Sequence, residues 1–225
     1  LVKLDLTDFG ELRRVFREIQ PAAVIHTAAQ SQPNYCQTHV QESLLINVTT
    51  SLNIAKLCSD NSIPYVFTST DLVFDGLKGN YQEMDSVNPV NIYGEHKAMA
   101  EVEILKQYPQ AAICRMPLMF GNATPTATSF LQSFIKTLRE GKELKLFTDE
   151  FRTPVNVNTA AEGLLLALEK VQGIIHLGGK EKISRYDFGL LLVEIFEIPH
   201  AKIQASLQKD VKMAAPRPSD VSLNS

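Results

Sequence analysis

The chain has 225 residues, 44% of them hydrophobic, enough to bury a core as one large domain or as one domain with a smaller lobe. Its 22 basic and 25 acidic residues leave a net charge of −3, and no Lys/Arg run interleaved with aromatics could follow a phosphate backbone, which argues against nucleic acid as a partner. No apolar stretch approaches the roughly 20 residues that cross a bilayer. The N-terminus shows no signal pattern, and Cys36, Cys58 and Cys114 lie far apart without CxxC spacing, so a soluble protein of the reducing cytoplasm is expected.

In chain order, Asp8 and Glu11 form a capping-box pattern ahead of Leu12, Val15, Phe16 and Ile19, which predicts a helix from about Asp8 to Gln20. The run AAVIHTAA (22–29) then reads as a strand. A second helix is expected from about Gln41 to Asp60, with Leu44, Val48, Leu52 and Ala55 as its apolar stripe, followed by a strand in PYVFTST (64–70). The stretch 79–91 reads as a loop, AAICRMP (111–117) as a strand, NATPTATS (122–129) as a loop and GIIHLGG (173–179) as a strand. Ser184 and Asp187 look like a cap and its acidic N3 partner, opening a helix whose apolar face carries Phe188, Leu191, Leu192 and Ile195.

Short, nearly continuous apolar strands suit a sheet covered on both faces. Strand and helix in alternation predict an α/β fold with a Rossmann-like, doubly wound parallel sheet and right-handed crossovers that place helices on both faces. Ligands of such sheets bind beyond the carboxyl ends of the strands, which directs attention to HTAAQSQ, TSTDLVFDG and RMPLMFG.

The segment NIYGEHKAMAE places Tyr93 and Lys97 four residues apart, on one side of a helix. A phenol needs help to exchange protons near neutrality, and a nearby ammonium favours its ionised form. With 6 tyrosines in the chain the spacing alone carries little. It gains weight from Ser69, Thr70 and Asp71, where a predicted strand ends: a hydroxyl there could orient a carbonyl while a tyrosine protonates the developing alkoxide. The competing reading makes Thr70 and Asp71 a capping or Asx-turn device. His26 and His176 lie on strand-like runs and read as core histidines. No His/Cys/Asp/Glu cluster has metal-ligand spacing, so no metal is expected.

The ordered set LDLTD, HTAA, INVTTSLNIA, TSTDLVFDG, NPVNIYGEHKAMAE, RMPLMFG, FRTPVNV and AAPRPSDVSL resembles the extended short-chain dehydrogenase/reductases, and within them the dTDP-4-dehydrorhamnose reductase group. The resemblance implies a catalytic Thr70, Tyr93 and Lys97, with Tyr93 as general acid, Lys97 lowering its pKa and holding the nicotinamide ribose, and Thr70 bonded to the reacting carbonyl. It implies cofactor contacts at Asp5 and Leu6, near adenine, and at Ala28, Ala29 and Gln30. Asn47 would support the site. Arg152 and Arg217 are suited to a diphosphate or a sugar hydroxyl, because guanidinium offers a planar fork of donors; each could equally pair with a loop carboxylate. With Thr70 and Asp71 they form the expected substrate-binding set.

The implied activity is NAD(P)H-dependent reduction of a nucleotide-linked 4-keto-6-deoxy sugar, with NADP favoured over NAD and homodimerisation allowed. A sugar-nucleotide epimerase or dehydratase shares the same fold and triad. The regulatory β subunit of methionine adenosyltransferase, a reductase-like binding protein, shares NPVNIYGEHK, RMPLMFG and the late RP. Residues 1–118, with 146–178 returning to them, would form a partial dinucleotide-binding domain, and 119–145 with 179–225 a small substrate lobe. The chain lacks a Gly-rich phosphate turn: Gly76 and Gly79 come too late, so the first strand-helix-strand unit is expected to lie upstream of Leu1 or to be absent. Leu118 stands where rhamnose-forming reductases typically carry tryptophan.

Overall fold

The computed structural model describes residues 1–122 and 129–225; most of the loop expected at 122–129 lies outside the described residues. The elements are α1 (Phe9–Ile19), β1 (Val24–His26), α2 (Pro33–Thr38), α3 (Val40–Leu44), a π-helical turn (Leu45–Thr49), α4 (Thr50–Asp60), β2 (Tyr65–Thr70), a 3-10 turn (Asp71–Val73), α5 (Ile92–Gln107), β3 (Ala112–Met116) and β4 (Met119–Phe120). There follow α6 (Phe130–Arg139), β5 (Glu143–Phe147), β6 (Phe151–Arg152), β7 (Val155–Asn156), α7 (Val157–Lys170), β8 (Gly173–His176), β9 (Ile183–Ser184), α8 (Arg185–Ile195), β10 (Lys202–Ser206) and a 3-10 turn (Gln208–Asp210).

The four expected strands form one parallel sheet of order β1-β2-β3-β8, with Phe67 beside His26 and Ile113, and Cys114 beside Ile175. Alternation along β2 sorts its two faces. Tyr65 and Phe67 pack with Ile113 against Leu12 of α1, Ile54 and Ala55 of α4, and Ala100 and Ile104 of α5. Val66 packs with Ala112 and Cys114 against Ala160, Leu164 and Ala167 of α7 on the other face. The parallel α/β sheet is as expected, but its winding differs. Every step from β1 to β8 runs the same way, so the reversal of strand order that makes a sheet doubly wound is absent among the described strands. Helices on opposite faces of a sheet that steps one way require crossovers of opposite hand. The long connection through α7 therefore differs in hand from those through α4 and α5, against the expectation of uniform right-handedness.

Local signals are realised unevenly. Asp8 caps α1 by accepting the Glu11 N–H at 3.0 Å, whereas the Glu11 carboxylate pairs with Arg14, leaving the box half made. Leu12 and Val15 are buried and Ile19 is exposed. The second helix forms as α3, the π-turn and α4 in succession, and in that turn the Thr50 N–H reaches back to the Leu45 carbonyl. Its buried face carries Ser43, Asn47 and Ser51 beside the apolar residues. In α8, Ser184 accepts the Asp187 N–H at 2.9 Å as expected, and Phe188 and Leu192 are buried while Leu191 and Ile195 are exposed.

A second, smaller assembly sits beyond the strand ends: β5 pairs with β10, and Leu131 of α6 packs with Phe188 and Leu192 of α8. The C-terminal segment returns to the main body, where Tyr81 N–H donates to Ser222 O at 2.8 Å and Leu223 N–H to the Thr153 hydroxyl at 3.1 Å.

Helix α5 begins at a forced position. Asn91 caps it, accepting the Gly94 N–H at 3.0 Å, and its amide donates to the Pro216 carbonyl at 3.1 Å. A Cβ at Gly94 would overlap the Leu72 carbonyl oxygen, so glycine lets the first turn of α5 press against the 3-10 turn after β2. Gly94→Ala should therefore cost about 1–3 kcal/mol, measured by urea denaturation; unchanged stability would show that the approach is not tight.

Candidate active site

Beyond the carboxyl ends of β1, β2 and β3 lies a cleft of about 500 Å³. The loop after β1 supplies Thr27, Ala29 and Ser31; the end of β2 and its 3-10 turn supply Thr68 to Leu72; α5 supplies Tyr93 and Lys97. The smaller assembly and the tail contribute Glu150, Arg152, Arg185 and Arg217, and Leu118 lines the wall. A depression of about 580 Å³ between α1 and the end of α4 is larger, but Arg13, Arg17 and Asp60 at its rim are exposed and no strand ends on it.

Thr70, Tyr93 and Lys97 converge in this cleft. Tyr93, in the first turn of α5, is buried beside Cys36 and Leu72. Burial raises its pKa, Asp71 and Cys36 raise it further, and Thr70 and Arg152 pull it back; Lys97 is not among these leading influences. The phenol is thus a protonated acid at neutral pH. Lys97, 1% exposed, donates through Nζ to the Thr68 carbonyl at 2.5 Å and sits 3.9 Å from the centre of the Phe67 ring. Burial pushes its pKa down to about 7, against a smaller upward pull from Glu101.

The capping reading of Thr70 is realised, at the floor of the cleft. The Thr70 hydroxyl caps the 3-10 turn, accepting the Leu72 N–H at 3.2 Å, and gives its proton to Asp71 Oδ1 at 3.2 Å. Asp71 is also bound by Arg152 at 2.7 Å, and Arg152 reaches Glu150 at 3.3 Å. Burial raises the Asp71 pKa while Arg152 lowers it; burial disfavours the Arg152 charge, but Asp71 and Glu150 hold its pKa above the usual value. Arg152 is thereby committed to a carboxylate pair, with Asp71 Oδ2 and Arg152 Nε lacking a hydrogen-bond partner among the described residues. Arg217 donates to Asn34 Oδ1 and to the Ala215 carbonyl and keeps its charge free of carboxylates among the described residues.

Sequence reasoning missed Glu150 and Arg185. Arg185 opens α8, lies over the rings of Phe130 and Phe134 at 4.8 and 5.3 Å, and makes no ion pair among the described residues. Burial lowers its pKa, and residues 123–128 contain no acid that could pair with it. A signal existed: a cation in the first turn of a helix opposes the macrodipole, so it needs another reason to be there.

Of the other expected contacts, Ala29 lines the cleft and Ala28 is exposed next to it in the chain, small side chains that leave the end of β1 open. Gln30 is held by Asn47 through both its backbone groups, at 3.0 and 3.1 Å, in the supporting role expected of Asn47. Asp5 and Leu6 stand apart from the cleft; the Asp5 carboxylate folds back onto Thr7, and Leu6 packs into the core. No group of three or more metal-ligating side chains occurs among the described residues, and no helix there is long and apolar enough to cross a membrane.

A parallel α/β sheet with hydroxyl, phenol and ammonium groups converging beyond its strand ends is the arrangement of a Rossmann-type, extended short-chain dehydrogenase/reductase. The chain belongs to the family of the RmlD substrate binding domain, whose model matches residues 2–225. The crystal structure of a hypothetical dTDP-4-dehydrorhamnose reductase from Sulfolobus tokodaii is similar, with a TM-score of 0.87 and 33% identity over 99% of this chain and 78% of that one. The probable low-salt glycan biosynthesis reductase Agl14 of Haloferax volcanii is 30% identical over 97% of this chain and 74% of its own length. The methionine adenosyltransferase 2 subunit beta of Danio rerio is 28% identical over 99% of this chain and 70% of its own.

Two outcomes follow from the charges. Arg152→Leu would strand Asp71 in the interior and should lower stability by about 3–5 kcal/mol at neutral pH, with a smaller deficit in acid, where Asp71, its pKa raised by burial, takes a proton; an equal deficit in acid and at neutral pH would show that the Asp71 charge is not involved. For Lys97, the unfolded chain binds the proton up to about pH 10.4 and the folded chain only up to about 7, so the unfolding free energy should rise between those values. Lys97→Met should remove that rise. A difference between wild type and variant that stays flat with pH would refute the depressed pKa.

Proposed function

We propose that the protein is an NAD(P)H-dependent reductase of a nucleotide-linked 4-keto-6-deoxy sugar, of the dTDP-4-dehydrorhamnose reductase type. The observation that carries this reading is the convergence of Thr70, Tyr93 and Lys97 in one cleft beside cations without carboxylate partners. A reduced nicotinamide, when bound, supplies hydride to the sugar carbonyl carbon. Thr70 turns its hydroxyl proton from Asp71 to the carbonyl oxygen, and Tyr93 donates its phenol proton to that oxygen as the C–H bond forms. A phenol kept protonated by burial is suited to that role, because an alkoxide is the stronger base. In this reading Lys97 would hold a nicotinamide ribose, and the guanidinium groups of Arg185 and Arg217 would meet a diphosphate.

Asp71 bears on one enzymatic alternative. A dehydratase needs a further acid or base next to the threonine, and the carboxylate that stands there is tied to Arg152 at 2.7 Å, which favours the reductase over the dehydratase.

The similarity to methionine adenosyltransferase 2 subunit beta supports a second reading, a dinucleotide-binding regulatory protein without turnover, and Lys97 docked on the Thr68 carbonyl is compatible with it. Turnover separates the two. Purified protein should oxidise NADPH when given dTDP-4-dehydrorhamnose, and Tyr93→Phe should lower kcat by about 10²- to 10⁴-fold while melting like wild type. Binding of NADPH with no oxidation on keto-sugar nucleotides would establish the second reading instead.

A further inference from the structure

A buried chain of polar side chains runs beneath the cleft from the sheet to the helix of Tyr93. His26 Nε2 lies 3.1 Å from the Ser51 hydroxyl, and Ser51 gives its proton to the Asn47 carbonyl at 2.9 Å. Asn47 Nδ2 donates to the Ser43 hydroxyl at 3.1 Å, which lies 2.8 Å from His96 Nδ1. His26, Ser51, Asn47, Ser43 and His96 are each 5% exposed or less.

Donor accounting orients one end of the chain. Ser51 spends its proton on Asn47, so it accepts from His26 Nε2–H. Ser43 accepts from Asn47 on one lone pair and keeps its own proton, which His96 takes at Nδ1 in the tautomer protonated at Nε2. Asn47 uses its remaining amide proton and its carbonyl oxygen on the two backbone groups of Gln30, at 3.1 and 3.0 Å. It sits in the π-helical turn, where one extra residue per turn rotates the side chain relative to an α-helix, as at many functional sites.

We propose that His96 is a positioning residue: through Ser43 and Asn47 it locks the Gln30 peptide, on the loop leaving β1, to the helix that carries Tyr93 and Lys97. Without an acceptor at His96, the Ser43 hydroxyl turns to the carbonyl one helical turn back, His39 O, which already accepts the Ser43 N–H at 2.9 Å. Asn47 then loses the fixed partner that orients its amide, and the loop is released from α5. The functional meaning of the lock, holding a dinucleotide at the end of β1 against the proton donor, rests on the reductase reading; the lock itself does not.

The Gln30 amide is the direct reporter, since it donates to Asn47 Oδ1. His96→Leu removes the acceptor at similar size, and His96→Asn restores one, because the asparagine Oδ1 takes nearly the place of the imidazole Nδ1. Hydrogen exchange at Gln30 in the wild-type chain, His96→Leu and Ser43→Ala should show about tenfold faster exchange in both variants, the weight of one buried hydrogen bond, with the β2 and β3 amides unchanged and His96→Asn close to wild type. In the turnover assay the same variants should lower kcat while leaving KM for the sugar nucleotide in place, a split that general loosening would not give. Gln30 exchange at the wild-type rate in His96→Leu, or equal behaviour of His96→Asn and His96→Leu, would overturn the proposal. A wild-type protein that never oxidises NADPH would end the reductase reading alone, because the exchange result still decides the lock.

Discussion

The ion pair between Asp71 and Arg152 is the joint on which the cleft depends. Asp71 leaves the end of β2 and Arg152 comes from β6, in the part of the chain that leads into the smaller assembly, and both are more than nine-tenths buried. Moving either charge out of water alone costs several kcal/mol, so each is tolerable there only with the other. The pair therefore sets how the smaller assembly meets the sheet. It also assigns roles around it. Thr70 is oriented by Asp71, Arg152 is neutralised, and the guanidinium groups facing the cleft without a carboxylate among the described residues are Arg185 and Arg217.

Helix α5 carries two different answers to a buried charge, one turn apart. Glu101 is enclosed and fully partnered: Arg115 grips it at 2.8 Å and the Ser69 hydroxyl donates to it. Lys97 has a carbonyl and an aromatic face and no carboxylate in contact, which is why its charge is held so weakly. Ser69 lies between Thr68, which anchors Lys97, and Thr70. The Glu101 network thus stiffens the strand end that presents both groups.

The sequence was most legible where the signal is local. The four core strands, the caps at Asp8 and Ser184 and the start of α5 at Asn91 each rest on a few neighbouring residues. It was least legible where polarity and burial part company. Ser43, Asn47 and Ser51 recur every fourth residue, outside the apolar stripe read for this helix, yet they form the buried polar stripe between β1 and α5. Ile19, Leu191 and Ile195 failed in the opposite sense, being apolar and exposed, because an apolar stripe marks a side of a helix without giving the width of its contact.

Residue order alone determined that this is a parallel α/β protein and that its cleft lies at the strand ends, since hydrophobic periodicity and caps are written within a few turns of chain; that Thr70, Tyr93 and Lys97 meet there was implied by the family resemblance. Only the tertiary structure decided the one-way strand order and the opposed hand of the α7 crossover, the capture of Arg152 by Asp71, the position of Arg185 over two phenyl rings in the cleft wall and the link from His96 to Gln30. Each of these is a pairing of groups distant in sequence, set by which charges and hydroxyls can be satisfied once water has been excluded, and no local pattern encodes that choice.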